Sequence, residues 1–330
     1  MKHLIVGLGS IGRRHFKNLH AIGERDVLVV EKNKKHDALQ KEILNAYHPQ
    51  VFYDINDALR RKPDTAFVTN PTSVHGKTAF RALQNGAHVF IEKPISHTLH
   101  GVRELLALAK KKKKMIYVGY HFRHHPQLLR VKRMIEKGVL GTLFYAHFST
   151  GEYLPDWHPW EDYRKVYFSK KETGACREML PFELSWLDFL VGSDVADIRG
   201  FVGKLSQLEM TADDCMVAGL RYTNGVLGSI MVDVLARNPF RTLKLIGSES
   251  VIRWEWLENT ITLYDAATKE ETIVEVPKGN PETGYLAGEE MYIEEMKSFI
   301  DAICGRAPYP YTFAEDWHRL KLLYALEAQS

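Results

Sequence analysis

The stretch His3–Gly12, HLIVGLGSIG, decides how this chain begins to fold. A short β-rich apolar run ends in three glycines spaced Gly7-x-Gly9-x-x-Gly12, and a helical pattern follows. Gly7 permits a tight turn, Gly9 lets backbone approach a pyrophosphate, and Gly12 allows the helix to lie close to the strand. The N–H groups of Ser10 and Ile11, at the positive end of that helix, suit phosphate. Glu31 ends the next apolar run, DVLVVE, at roughly the ~20-residue spacing of a dinucleotide site. A carboxylate there accepts hydrogen bonds from ribose hydroxyls and repels a 2′-phosphate, which favours NAD. Arg13, Arg14 and Lys32 lie close by in sequence, soften that preference and leave NADP open.

Outward from this stretch, the first 120 residues alternate β-rich runs (HLIVGL, DVLVVE, QVFYD, TAFVTN, HVFIEK, MIYVGY) with helical patterns. Alternation of this kind predicts a doubly wound parallel sheet of the Rossmann type over residues 1–120. Beyond Pro126 the strands become longer and alternate apolar with polar residues, with turn signals at Asn224-Gly225 and Gly247-Ser248. They predict an open antiparallel sheet in an α+β domain over 121–310. EEMYIEEMKSFIDAICG and AEDWHRLKLLYALEAQ read as amphipathic helices, and residues 311–330 are expected to return toward the first domain.

Composition narrows the function. With 45% hydrophobic residues, 26% charged residues and a net charge of +3, the chain has the texture of a globular enzyme and no basic surplus for nucleic acid. The run Lys110–Lys114 follows an apolar-periodic helix, where cations complement the dipole. No apolar run reaches membrane-spanning length. Cys176, Cys215 and Cys304 are far apart, as reduced cytoplasmic thiols would be, and the cytoplasm is the expected compartment. His121, His124 and His125 lack a partner at metal-ligand spacing, so no metal is expected.

Gly7–Gly12 followed by RRH, TNPTSVHGKTAFRALQNGAHVFIEKP, VGYHFRHHP and LKLIGSES together resemble the Gfo/Idh/MocA family, the relatives of glucose–fructose oxidoreductase and inositol dehydrogenase. The resemblance covers nearly the whole chain, and Glu92-Lys93-Pro94 is its most specific motif. It implies NAD(P) in the first domain and a sugar, cyclitol or activated sugar bound between that domain and the open sheet. The sheet's outer face would then mediate a homodimer or homotetramer. Position by position, the resemblance implies that Lys93 stands between the nicotinamide and the reacting hydroxyl, with Glu92 beside it, and that the Lys93–Pro94 bond is cis. An ammonium there stabilises the alkoxide character that develops as hydride leaves. Thr69, Asn70, Pro71 and His75 match the loop that lines the nicotinamide ribose, although His75 suits helix packing equally well. Tyr120 and Arg123 match positions near the substrate cleft.

The second informative stretch is Arg177–Asp188, REMLPFELSWLD. In dehydrogenases of the family the corresponding helix commonly reads Asp, then His four residues on, then Asp three further. Here those positions hold Glu178, Phe182 and Ser185. The i, i+4, i+7 spacing keeps them on one helical face, but Phe182 cannot carry a proton. Acid–base work then falls to Lys93 or Glu178, or to Tyr163, His158 or His121. Two further readings stay open: binding without turnover, and a helix that is core packing, as the stripe Met179, Phe182, Trp186, Phe189 suggests. We expect Lys93 and Glu178 to be the catalytic pair, with Phe182 lining the substrate site. Upstream, GEYLPDWHPWEDYRKVYFSKKETG has the aromatic and charged composition of a binding loop, with a packing loop as the alternative. It resembles a bacterial subfamily associated with surface-sugar biosynthesis, in which an arginine commonly stands at the position of His158. Trp157, His158 and Tyr163 are candidates for sugar hydroxyls and ring stacking, and Arg164 for an anionic or polyhydroxylated group.

Overall fold

Runs of β-branched residues buried on both faces build the first sheet, as parallel strands require. In chain order it is formed by β1 (Lys2–Val6), α1 (Ser10–Ala21), β2 (Asp26–Val30), α2 (Ala38–Tyr47), β3 (Gln50–Phe52), α3 (Ile55–Leu59), β4 (Thr65–Val68), α4 (His75–Gln84), β5 (His88–Glu92), α5 (Val102–Lys112) and β6 (Ile116–Gly119). The strand order is β3-β2-β1-β4-β5-β6, all parallel. The order reverses between β1 and β4, and ligands of such sheets bind beyond the strand C-termini at that reversal. This computed structural model describes every residue except His158, Trp160, 275–287 and Ser330.

The second sheet follows α6 (Pro126–Glu136). Its elements are β7 (Leu143–Gly151), α7 (Leu154–Trp157), α8 (Ala175–Val191), β8 (Val195–Gly203), β9 (Cys215–Tyr222), β10 (Leu227–Asp233), β11 (Phe240–Gly247), β12 (Ser250–Glu255), β13 (Thr260–Asp265) and β14 (Glu271–Val274). Both turn signals fall at hairpins: Gly225 takes φ 89° between β9 and β10, and Gly247-Ser248 lies between β11 and β12. The sheet order is β14-β13-β12-β11-β7-β10-β9-β8. All its pairs are antiparallel except β7 with β10, which run parallel. The sheet is antiparallel as expected, apart from that one pair. On β9 Met216, Ala218, Leu220 and Tyr222 are buried while Val217 and Arg221 face out. The α8 helix contributes Trp186 to the core, against Phe148 at 4.9 Å and Trp254 at 5.7 Å.

The described chain divides into two compact units, Met1–His121 with Met291–Trp317 and Phe122–Glu290 with His318–Ser330. The expected boundaries kept residues 121–310 together, but α9 (Glu290–Ile303) carries Phe299, whose ring lies 5.3 Å from both Phe67 and Phe90 of the first unit. The last helix, α10 (Phe313–Glu327), starts in the first unit and continues in the second.

Candidate functional site

In the first unit, the glycine turn is built as its spacing predicts. Gly7 has φ +103°, a conformation side chains rarely adopt. A Cβ on Gly12 would sit 1.9 Å from Gly7 O, so α1 could not lie this close to β1 with any other residue. Gly9 and Ser10 are exposed at the α1 N-terminus, and a Cβ on Gly9 would meet nothing within 4 Å. Ile11 and Arg13 are half-buried beside them. Arg13 also sits 3.7 Å from Asp37, and Lys32 is exposed. Glu31 turns back onto the loop: it accepts from Leu8 N–H at 2.9 Å, Gln40 Nε2 at 3.3 Å and Asn33 N–H at 3.3 Å. A carboxylate has about four acceptor sites, which leaves capacity for a ribose hydroxyl.

Beyond β4, the Thr69 hydroxyl donates to Gly7 O at 2.7 Å and ties this loop to the glycine turn. Asn70 Nδ2 donates to Thr78 Oγ1 at 2.9 Å, while its Oδ1 is buried with no hydrogen-bond partner among the described residues. A buried acceptor of this kind can take a hydrogen bond from a ligand or an ordered water. Pro71 starts the short turn into α4. His75 bridges two carbonyls, Asn70 O at 2.6 Å and Pro94 O at 3.0 Å, and so joins the loop after β4 to the turn after β5.

Lys93 is half-buried at the end of β5, and its bond to Pro94 is cis. The segment after it is held by Asp316, whose carboxylate accepts from Ile95 N–H at 3.3 Å. Glu92 is buried, and its carboxylate meets His15 Nε2 at 2.5 Å. Burial alone would raise its proton affinity, but the His15 hydrogen bond and the nearby Lys93 and His75 outweigh that and hold it below the ordinary carboxylate value. Glu92 is therefore an anionic brace between α1 and the lysine segment. Glu295 on α9 behaves oppositely: burial, then repulsion from Glu92, pushes its proton affinity up, so of the two it holds a proton more readily. Tyr120 was expected at the substrate, but it is 1% exposed and its hydroxyl donates to Asp316. Its ring packs on Tyr311 at 4.4 Å, and through Asp316 it shares the support of the segment that follows Lys93.

In the second unit, Glu178 lies in the first turn of α8, 9% exposed, and Phe182 packs against Phe122 at 5.0 Å. Pro181 sits inside this helix and withholds the N–H that Arg177 O would otherwise accept. Arg123 donates from Nε to Ser185 O at 3.0 Å and is 8% exposed, so it fastens α8. Trp157 packs edge-on to Phe168 at 5.3 Å, and its indole N–H is buried without a partner among the described residues. Tyr163 is half-buried and accepts from Glu209 N–H at 3.2 Å. Arg164 is engaged by Asp162 at 2.7 Å and Glu209 at 2.9 Å, so its charge is already matched. His158 lies outside the described residues. Sequence reading missed His15, Asp316 and Glu295; only the histidine gave a signal, as the last residue of RRH on the helix opened by the glycine turn. Among the described residues no three His, Cys, Asp or Glu side chains group as a metal site.

Comparison with known proteins accords with this geometry. Residues 1–120 match an oxidoreductase family with an NAD-binding Rossmann fold, and residues 128–253 match the GFO/IDH/MocA C-terminal domain. The UDP-N-acetylglucosamine 3-dehydrogenase of Acidithiobacillus ferrooxidans is 23% identical over 310 residues, 93% of this chain and 90% of that protein. The myo-inositol 2-dehydrogenase of Thermotoga maritima is 24% identical over 333 residues, 97% of this chain and 92% of its own. A crystal structure of an oxidoreductase from Agrobacterium radiobacter, in complex with NAD+, L-tartaric acid and magnesium, shares the fold. Its TM-score is 0.87 at 14% identity, over 100% of this chain and 96% of that one.

Proposed function

Because the chain belongs to the Gfo/Idh/MocA family and is an NAD(P)-dependent oxidoreductase, we propose that it acts on a hydroxyl or keto carbon of a sugar or activated sugar, with Lys93 at the reacting oxygen. The observation that carries this reading is the placement of Lys93. The segment after it is fixed by His75 and Asp316, the same His75 ring holds the loop after β4, and that loop is tied to the glycine turn at the sheet's reversal point. The residues present fit the dinucleotide: Gly9 and Ser10 for the pyrophosphate, Glu31 for the adenosine ribose, Asn70 Oδ1 for a donor on the nicotinamide side. Bound there, the nicotinamide supplies the hydride acceptor or donor.

Lys93 stabilises negative charge on the substrate oxygen as hydride leaves, and it is the proton carrier nearest the chemistry, since Phe182 cannot serve. On this reading Glu178, in the first turn of α8, binds a substrate hydroxyl. Trp157 and Tyr163 hold the ring, Trp157 through the N–H that has no partner among the described residues. The carboxylate of Glu31 favours NAD over NADP. A thermal-shift and absorbance screen of NAD and NADP with cyclitols, sugars and sugar nucleotides tests the reading. NAD should raise the melting temperature more than NADP, and one polyol class should reduce it. If neither cofactor shifts melting at millimolar concentration, the reading fails.

A further inference from the structure

The second unit holds an open cavity of about 730 Å³ that the dinucleotide does not account for. That is enough room for a phosphorylated sugar or part of a nucleotide sugar. Its lining includes Tyr153, Tyr163, Gln207, Glu209 and Arg237. The chain beyond β7 and the chain beyond β10 continue side by side, through Glu152 N–H to Asp233 O at 3.3 Å and Leu154 N–H to Val234 O at 3.1 Å. This brings Tyr153 beside Arg237, and the guanidinium lies 3.5 Å over the Tyr153 ring.

A guanidinium stacked flat on an aromatic keeps its N–H donors in its own plane, directed away from the ring. Arg237 is exposed, and among the described residues no carboxylate lies within ion-pair distance of it. The other cations around the cavity are matched: Arg164 by Asp162 and Glu209, Lys165 by Asp162 at 3.4 Å, and Lys204 by Asp214 at 3.3 Å.

The walls are held before any ligand arrives. Asp233 Oδ1 accepts from Leu235 and Ala236 N–H at 2.8 and 2.9 Å, which fixes the backbone leading to Arg237. Asp214, fully buried, accepts from Leu205 N–H at 2.7 Å and from both Ser206 N–H and hydroxyl, at 3.0 and 2.7 Å. Opposite them, Tyr163 is held by Glu209 N–H. A stacked arginine with an open edge, on walls that need no rearrangement, is a pre-organised receptor for a planar or tetrahedral anion.

We propose that this cavity binds an anion, a carboxylate or phosphate of the kind carried by acidic sugars and nucleotide sugars, and that Arg237 holds it. The proposal rests on the sugar-oxidoreductase reading for the class of ligand. It also moves the anion contact from Arg164, the residue that sequence pointed to, onto Arg237.

The test uses the full-length protein saturated with NAD, so that no diphosphate probe can enter the dinucleotide site. UDP and glucuronate, with glucose as the neutral control, are titrated by calorimetry into wild type, R237Q and R237K. At least one anion should bind wild type about tenfold or more tighter than glucose. R237Q should abolish the preference, and R237K, which keeps charge without the planar fork, should fall between. UDP against glucuronate distinguishes a phosphate from a carboxylate source. If neither anion binds better than glucose, or if R237Q binds like wild type, the proposal is overturned. NAD binding, measured first on all three proteins, reports on the dinucleotide reading by itself; an anion defect with NAD binding intact belongs to this cavity alone.

Discussion

Two glycines of one turn should respond to the same substitution in opposite ways. Gly12→Ala places a Cβ 1.9 Å from Gly7 O and 2.9 Å from the Thr69 hydroxyl, whereas ordinary contact begins at 3.4 Å. The start of α1 must therefore withdraw by about 1.5 Å, at a cost of about 1–3 kcal/mol or more. It would also disturb the hydrogen bond from Thr69 to Gly7 O. Gly9→Ala meets nothing within 4 Å, and its φ of −69° and ψ of −167° are open to alanine. Stability should be unchanged or rise by about 0.4–1 kcal/mol through the unfolded state. The new methyl, however, stands on the open side of the turn where a pyrophosphate must approach backbone N–H groups. NAD should bind about tenfold more weakly, a loss of about 1.4 kcal/mol. Urea denaturation with and without NAD separates the two effects. At a concentration one hundred times the wild-type Kd, NAD should add about 2.7 kcal/mol to wild type and about 1.4 kcal/mol to Gly9→Ala. If Gly9→Ala gains as much from NAD as wild type, or unfolds while Gly12→Ala does not, the assignment of this turn is wrong.

Three further outcomes follow from the structure. Asp188 is 3% exposed, and burial, only partly offset by Arg319 at 2.9 Å, raises its pKa to about 7 from an ordinary 3.8. The native state then binds the proton more tightly than the unfolded chain, so this group's contribution is fully present below about pH 4 and is lost as pH rises to about 7. Over those three units it amounts to about 4 kcal/mol, and Asp188→Asn should remove that slope from denaturation curves recorded between pH 4 and 8; an unchanged slope refutes the assignment. Phe201 is 79% exposed on β8, paired with Val217, itself 43% exposed, on β9. We expect this face to join copies of the chain, so light scattering should show an oligomer that Phe201→Glu reduces to monomer, and a wild-type monomer at micromolar concentration contradicts it. On the proposed roles, Glu178→Gln should lower turnover less than loss of Lys93 does, because it would remove a substrate contact and leave the stabiliser of charge in place; an equal loss would make Glu178 the principal group.

The parallel sheet was legible because its signals are local: apolar runs, helical patterns between them, and glycines whose spacing fits one turn. The hairpins at Asn224-Gly225 and Gly247-Ser248 were legible for the same reason. The parallel pair β7–β10 was not, since the two strands are separated by α8, β8 and β9, and alternation reports which face is buried but not which neighbour is paired. The amphipathic pattern around Phe299 likewise announced a helix without naming the sheet it packs on. Asp316 and Glu295 gave no signal, because burial of a charge depends on partners that only the fold assembles, such as Tyr120, Tyr311 and Ile95 N–H around Asp316. Lys93 was singled out by its motif. The engagement of Tyr120 and Arg123 by protein groups was hidden, as their partners are 196 and 62 residues away in sequence.

The central claim, that Lys93 performs the chemistry on a dinucleotide held by the glycine turn, is tested by one comparison. Wild type and Lys93→Ala are each titrated with NAD and then mixed with the sugar substrate found by the screen, while formation of reduced nicotinamide is followed by its absorbance. Both proteins should bind NAD within about threefold of each other, with turnover lower by about a hundredfold or more in Lys93→Ala, the usual loss on removing a group that stabilises an oxyanion. Equal turnover in the two proteins, or loss of NAD binding together with turnover in Lys93→Ala, would contradict the account.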